Sequence, residues 1–302
     1  MSDFLNLALF AALIFALVLG AGLVPFASSM SAQPKTLYRM TCVAAGFLIS
    51  AALLIAIPEG FILYFEHAQM ENGHGDDGFA SYLGQWESSS GHGHGVEHAS
   101  AIIAGLAVLL GFVFMMVLES FGFGHDVHEE HHDHVLAHSH DHVNHPAEHS
   151  SSLVIGLTIH AVADGVVLAA AFSLGELVLS LQLAAVVLMH KFPAAFSLSA
   201  YSLHERENRK KSLLDLLLFA SATPAAMLLS FFLFEPSSSA WQGLAVLFAA
   251  GGFIYVSAVD VLPTVHIREK SKQSLAMVLL GIVMMLGISF GIQMFFPEAQ
   301  IH

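Results

Sequence analysis

Long apolar runs, repeated along almost the whole chain, constrain this sequence more than any other feature. A helix of roughly 20 residues, at ~1.5 Å rise per residue, crosses the hydrocarbon of a bilayer. Eight runs reach about this length: 4–24, 40–64, 100–121, 151–173, 177–203, 213–234, 240–264 and 274–296. With 56% hydrophobic and 11% charged residues, the composition is typical of a multi-pass membrane protein. We therefore predict an all-α polytopic membrane protein with a single domain of eight transmembrane helices.

The ten Lys and Arg residues predict the topology. Nine of them lie between spans one and two, five and six, and seven and eight, and the tenth is Lys191 inside span five. Eight spans place those three loops on one side, which the positive-inside rule makes cytoplasmic. Both termini then face the outside or a lumen. The first run opens with Asp3 and exceeds the core of a signal peptide, so we expect it to be retained as a span.

Two hydrophilic loops interrupt the apolar pattern. Residues 67–98 hold five His and five acidic residues among many Gly and Ser, and the topology places them outside. Residues 125–149 hold ten His and six acidic residues, and the topology places them in the cytosol. Alternating His and acidic side chains supply many weak metal ligands, whereas the alternative is a solvated linker. We expect labile metal binding in the cytoplasmic loop, by His125, His128, His131, His132, His134, His138, His140 and His142.

Ionisable side chains also lie inside two of the apolar runs. His160 and Asp164 belong to the sequence HAVADG in span four, and His190 and Lys191 to HKFPAA in span five. Such groups cost several kcal/mol in hydrocarbon unless they pair or bind a metal, so they indicate a functional site. The i, i+4 spacing places His160 and Asp164 on one face of their helix. His190 follows at a similar depth on the next, antiparallel helix.

Two imidazoles and a carboxylate form a mixed nitrogen and oxygen donor set that suits a divalent metal, above all Zn²⁺. We predict that His160, Asp164 and His190 are its ligands. Three protein ligands leave one tetrahedral position open, which suits an ion that must also leave. A His–Asp pair satisfied inside a helix bundle is the alternative. The same donor set tolerates Fe²⁺ and Mn²⁺, so the physiological metal stays open.

Lys191 places an ammonium directly after a predicted ligand. In the absence of metal it can pair with Asp164 or another acid. We hypothesise that it modulates the site as a tethered positive charge that limits the site to a single divalent ion. The alternative is a purely structural salt bridge.

Three further acidic residues lie near the ends of spans. Glu59 lies at the outer end of span two, and Glu119 and Asp260 near the cytoplasmic ends of spans three and seven. These carboxylates are candidates for way-stations on an ion pathway. Interhelical hydrogen bonds or snorkelling toward the interface would also explain each of them.

The eight spans, the His-rich loop between spans three and four and the two motifs together resemble the ZIP (Zrt/Irt-like) divalent-metal transporters over essentially the whole chain. In that family, span four usually reads His-Asn-x-x-Asp/Glu-Gly and span five often reads His-Glu-x-Pro-x-Glu. The resemblance implies the ZIP-type fold, transport-site roles for His160, Asp164 and His190, and a homodimer. It further implies transport toward the cytosol, with spans one, four, five and six sliding against spans two, three, seven and eight.

The motifs depart from the family pattern at three positions. Ala161 replaces the Asn of span four, and Lys191 and Ala195 replace the two acidic residues of span five. These replacements remove three donors that build a second metal position in many members, so we expect one core ion. The Lys after the span-five His is similar to the branch typified by the ninth human member. That similarity implies a plasma-membrane or Golgi location; for a bacterial protein we expect the inner membrane.

The leading interpretation is therefore a zinc-preferring transporter that is not an enzyme. An intramembrane zinc hydrolase would use the same ligands to activate water, but the chain lacks a His-Glu-x-x-His motif. A metal-sensing membrane receptor would use the loops to bind its ligand. The expected partners are a divalent ion, the lipid bilayer and a second copy of the chain, with no nucleic acid.

Overall fold

Apolar helices form nearly all of the chain for which structure can be described. This computed structural model describes residues 2–27, 34–71, 94–120, 148–175, 177–206, 208–234, 239–261 and 271–296. Within these ranges, eight helices are long and apolar enough to cross a membrane. The predicted all-α membrane fold and its number of spans are confirmed.

The helices follow the apolar runs, and most extend a few residues beyond them. They are α1 (Ser2–Ala27), α2 (Pro34–Ala51, a π-helical turn Ala52–Ala56 and then Ile57–Glu71), α3 (His94–Leu118), α4 (Glu148–Ser173), α5 (Leu177–Glu205), α6 (Arg209–Phe234), α7 (Ser239–Tyr255 and then a π-helical turn Val256–Val261) and α8 (Ser271–Phe295). Most of loop 67–98 and nearly all of loop 125–149 lie outside the described residues. Metal binding by those loops, and by their histidines, therefore stays a prediction.

The eight helices pack as two groups. In the first group, α4 packs on α6, and α1 packs on α5 and α6. In the second group, α2 packs on α7 and α8, and α3 packs on α7. The groups meet mainly where α2 contacts α5 and where α4 contacts α7. This division is the one that the family resemblance implied, whereas a sliding motion between the groups stays a prediction.

Glycines allow helices within each group to approach closely. A Cβ atom at Gly111 of α3, or at Gly251 of α7, would collide with a backbone carbonyl of the facing helix. Gly46 and Gly281 have the same role between α2 and α8, and Gly165 between α4 and α6. Lipid tails are as apolar as side chains, so helices in a membrane associate through close packing and interhelical hydrogen bonds. These glycine contacts therefore set the helix spacing.

Prolines lie within several of the helices, and Pro58 and Pro193 affect their helices in different ways. Pro58 follows the π-helical turn of α2 and cannot donate a hydrogen bond to the carbonyl of Leu54, which lies within that turn. Pro193 lies inside α5, and the helix continues through it. Its ring leaves the carbonyl of Met189 without an intrahelical donor, directly beside His190.

Candidate metal site

Helices α4 and α5 bring four ionisable side chains together inside the bundle. His160 and Asp164 lie one turn apart on α4, and His190 and Lys191 are neighbours on α5. Their exposed fractions are 6%, 2%, 7% and 1% respectively. The three residues predicted as ligands thus lie together with the predicted modulator, and their binding of a metal stays a prediction.

One carboxylate oxygen, Oδ2 of Asp164, is at the centre of the cluster. It lies 3.0 Å from Nζ of Lys191, 3.2 Å from Nε2 of His190 and 3.7 Å from Nε2 of His160. One ligand atom each from His160, Asp164 and His190 lie within 4.8 Å of one another. Ligands of a tetrahedral zinc ion, with bonds of ~2.1 Å, lie about 3.4 Å apart. Small side-chain rotations would therefore close these three donors around one ion.

The hydrogen bonds of His190 determine which of its nitrogens can bind a cation. Nδ1 lies 2.9 Å from the carbonyl oxygen of Val186, which can only accept, so Nδ1 donates. In a neutral imidazole the lone pair then belongs to Nε2, which faces Asp164. Fixing the tautomer through the second ring nitrogen is the usual way in which proteins orient a metal-binding His. His190 is therefore oriented for a cation on the Asp164 side.

Lys191 lies beside this position and has a second contact. Its ammonium pairs with Asp164 at 3.0 Å and lies 4.8 Å from the centre of the Phe219 ring of α6. Phe219 is 1% exposed, so this cation–π contact is shielded from solvent. The charge of Lys191 is thus held by a carboxylate and by an aromatic face.

Two neighbouring helices build the walls of the site. Thr223 of α6 donates a hydrogen bond of 2.7 Å to the carbonyl of Ala161, between the two ligands of α4. Phe253 of α7 meets the His190 ring edge-on, with 5.9 Å between ring centres. A cavity of about 20 Å³ between α3, α4 and α7 is lined by His160 and Asp164, among others. That volume accommodates about one water molecule, which is a suitable source for the open ligand position.

Of the other predicted pathway residues, Glu59 and Glu119 lie outside this cluster. Glu59 is half-buried in the first turn after the π-helical turn of α2. Glu119 accepts a hydrogen bond from the hydroxyl of Tyr255 on α7. Asp260 belongs to the π-helical turn of α7, and its side chain is outside the described residues. Among the described side chains, His160, Asp164 and His190 form the one group suited to hold a metal.

Sequence reasoning missed Phe219, Thr223, Phe253 and Tyr255 as parts of the site or its surroundings. An aromatic or a Thr in an apolar helix is normally a packing residue, so residue type alone does not distinguish these four. The Thr-Pro pair of α6 was the one available signal, because prolines in membrane helices require nearby groups to satisfy freed backbone atoms.

Comparison with known proteins identifies the family. The family model described as "ZIP Zinc transporter" matches residues 124–289 of the 302. A protein named Zinc transporter ZIP9 from Micropogonias undulatus is 34% identical over 283 residues, which cover 88% of this chain and 86% of that protein. The chain belongs to the ZIP zinc transporter family. The ZIP9 protein of Xenopus tropicalis is 32% identical over 280 residues. The ZIP9 protein of Macaca fascicularis is 37% identical over 117 residues, which cover 37% of this chain and 50% of that protein.

Membership of the ZIP family makes this a transport protein and not an enzyme, which confirms the prediction and counts against the hydrolase alternative. The departures from the ZIP motif are all at buried positions. Ala161 and Ala195 are 0% exposed, so methyl groups occupy the two positions where the family pattern described above has an Asn and an acidic residue. Lys191, at the third departure, contributes an ammonium that cannot ligate while protonated.

Proposed function

We propose that this protein carries Zn²⁺ across the membrane to the cytosol, with His160, Asp164 and His190 as the ligands of the transported ion. The observation that carries the proposal is the convergence of these three buried donors from two helices. Buried carboxylates and imidazoles are expensive in a membrane unless they serve an ion or a partner. The names of the related proteins, each called a zinc transporter, support zinc as the substrate.

The donor set favours Zn²⁺ over harder cations. Imidazole nitrogen suits zinc, whereas Mg²⁺ and Ca²⁺ prefer oxygen ligands alone. Fe²⁺ and Mn²⁺ also accept two nitrogens and one oxygen, and we treat them as secondary substrates. Three ligands bind such an ion less tightly than a closed four-ligand site, which permits its release.

The distribution of basic residues supports a direction. The three loops that contain nine Lys and Arg residues face the cytosol under the positive-inside rule, and both termini face outside or a lumen. The His-rich segment 125–149 then lies in the cytosol, where it would receive the released ion. We place the protein in the plasma membrane or Golgi and related membranes, or in the inner membrane of a bacterium, as a homodimer.

Transport would involve one core ion per protomer. Ala161 and Ala195 offer no donor for a second ion, and Lys191 adds a positive charge next to the first position. Glu59, Glu119 and Asp260 would serve as way-stations toward the two membrane faces. The helix group α1, α4, α5 and α6 contains the site, so it would move the ion past the other group.

Zinc uptake by proteoliposomes that contain only this protein tests the proposal. We expect uptake by the wild type and loss of most uptake in His190→Ala, because a three-ligand site loses useful affinity with one ligand. His204→Ala is the matched control, since His204 is an exposed histidine on the same helix. Uptake by well-inserted His190→Ala at the wild-type rate would contradict the site. Absence of uptake by the wild type would favour a metal-sensing receptor.

A further inference from the structure

Lys191 pairs with the carboxylate oxygen that a transported ion would use as a ligand. Its ammonium is the nearest of the three cluster nitrogens to Oδ2 of Asp164, at 3.0 Å, compared with 3.2 Å and 3.7 Å for the imidazoles. A divalent ion bound to this carboxylate would therefore compete with Lys191 for the same oxygen. Lys191 and Asp164 are 1% and 2% exposed, so bulk water does not solvate either charge when the pair separates.

The Phe219 ring provides a second position for the displaced ammonium. It lies 4.8 Å from Nζ, on α6, and is itself fully packed. While Lys191 pairs with Asp164, the carboxylate supplies most of the stabilisation of the ammonium. Once a metal takes the carboxylate, the aromatic face is the remaining attraction, and cation–π attraction is strongest in such desolvated sites.

Resting on the proposed function, we infer that Lys191 is a built-in substitute cation: it neutralises Asp164 when the site is empty and moves toward the Phe219 face when a divalent ion binds. The step exchanges one cation for another at a carboxylate oxygen. No covalent bond changes, and the ammonium keeps its proton. Lys191 thus lowers the affinity for the ion while it stabilises the empty carrier, and Phe219 is a positioning residue for the loaded state.

Two consequences separate this role from a structural salt bridge. Removing the ammonium should strengthen zinc binding, because the ion no longer displaces a competitor or meets its repulsion. It should also slow turnover, since the ion leaves less readily and the empty site contains an uncompensated carboxylate. A structural salt bridge predicts weaker binding after its loss, because the ligands would be disordered.

Calorimetric zinc titration and proteoliposome uptake, compared between Lys191→Met and the wild type, test both consequences, since metal bound by the His-rich loops is common to the two proteins. We expect at least about tenfold tighter zinc binding, together with lower KM and lower maximal uptake than in the wild type. Unchanged or weaker binding by a monodisperse Lys191→Met protein would overturn the inference. The proposed function would survive that result, because it depends on uptake by the wild type and on its loss in His190→Ala.

A double-mutant cycle with Phe219→Leu tests whether Phe219 positions the displaced ammonium. We expect Phe219→Leu to weaken zinc binding roughly three- to tenfold when Lys191 is present, and to have little effect in the Lys191→Met background. Phe231→Leu is the matched control: Phe231 is also buried on α6, about 18 Å along the helix from Phe219, and packs near Phe4. Equal effects of Phe219→Leu in both backgrounds would show that the ring acts by packing alone.

Discussion

Replacing Asp164 by Asn should destabilise the protein even in the absence of any metal. The change leaves the Lys191 ammonium buried at 1% exposure without the carboxylate that now lies 3.0 Å away. Removing one partner of a buried ion pair costs about 3–5 kcal/mol, because the remaining charge stays desolvated. The Phe219 ring would still attract the ammonium in the variant, but a desolvated cation–π contact is worth about 2 kcal/mol, so it offsets only part of this loss.

The double variant Asp164→Asn, Lys191→Met should recover most of that stability. Replacing both members of a buried pair by uncharged side chains of similar volume is often neutral or favourable. Zinc binding should stay lost in the double variant, because Asn does not supply the anionic oxygen. Stability and ion binding would thus be separated within one site.

Unfolding by SDS in mixed micelles, followed by circular dichroism, measures these differences. Asp215→Asn is the matched control: its carboxylate pairs with Arg206 at 2.5 Å, but both side chains are only partly buried. We expect a smaller loss there, because water solvates the remaining Arg. The reasoning would be refuted if Asp164→Asn were as stable as the wild type, or if the double variant were as unstable as the single one.

Three further results are expected. Gly251→Val should lower the melting temperature, because a side chain there meets the backbone of α3. Gly287→Val, the control, has open space and should leave the melting temperature nearly unchanged. Equal melting temperatures for the two variants would contradict the packing argument. Deletion of residues 125–149 should change the concentration dependence of zinc uptake but not abolish it, and complete loss in a correctly localised protein would show that the segment is essential. Lys191→Glu should allow two core ions or tighter zinc binding, because it removes the repulsion of the ammonium. The ions are counted by metal analysis on protein without the His-rich loops. An unchanged ion count and zinc affinity would show that Lys191 does not limit the site.

Hydropathy and helix spacing were enough to predict the spans and the residues of the cluster. Membrane helices satisfy their own backbone, so apolar length alone identifies them. His160 and Asp164 were recognisable because their i, i+4 spacing needs no tertiary information. The position of His190 against Asp164 followed from the antiparallel order of two consecutive spans.

The contributions of α6 and α7 were not predictable in the same way. Phe219 and Phe253 look like lipid-facing or packing residues until the rotation of each helix is known. That rotation depends on glycine contacts such as Gly165 against the Thr223 backbone, which hydropathy does not register. The π-helical turns of α2 and α7 also escape a pattern that assumes a uniform helical period.

The hydrogen bond from His190 to the Val186 carbonyl bears on which helices determine the affinity for the ion and which determine its access to the site. The His190 ring is oriented by a carbonyl of its own helix. Thr223 of α6 donates a hydrogen bond to the α4 turn that contains the other two donors. These supports all belong to one helix group, so a shift of the other group would leave the donor geometry around an ion unaltered. Phe253 and the lining of the small cavity on α3 and α7 would shift instead. How strongly an ion is held and how quickly it arrives are then properties of different helices, and each can change in evolution without disturbing the other.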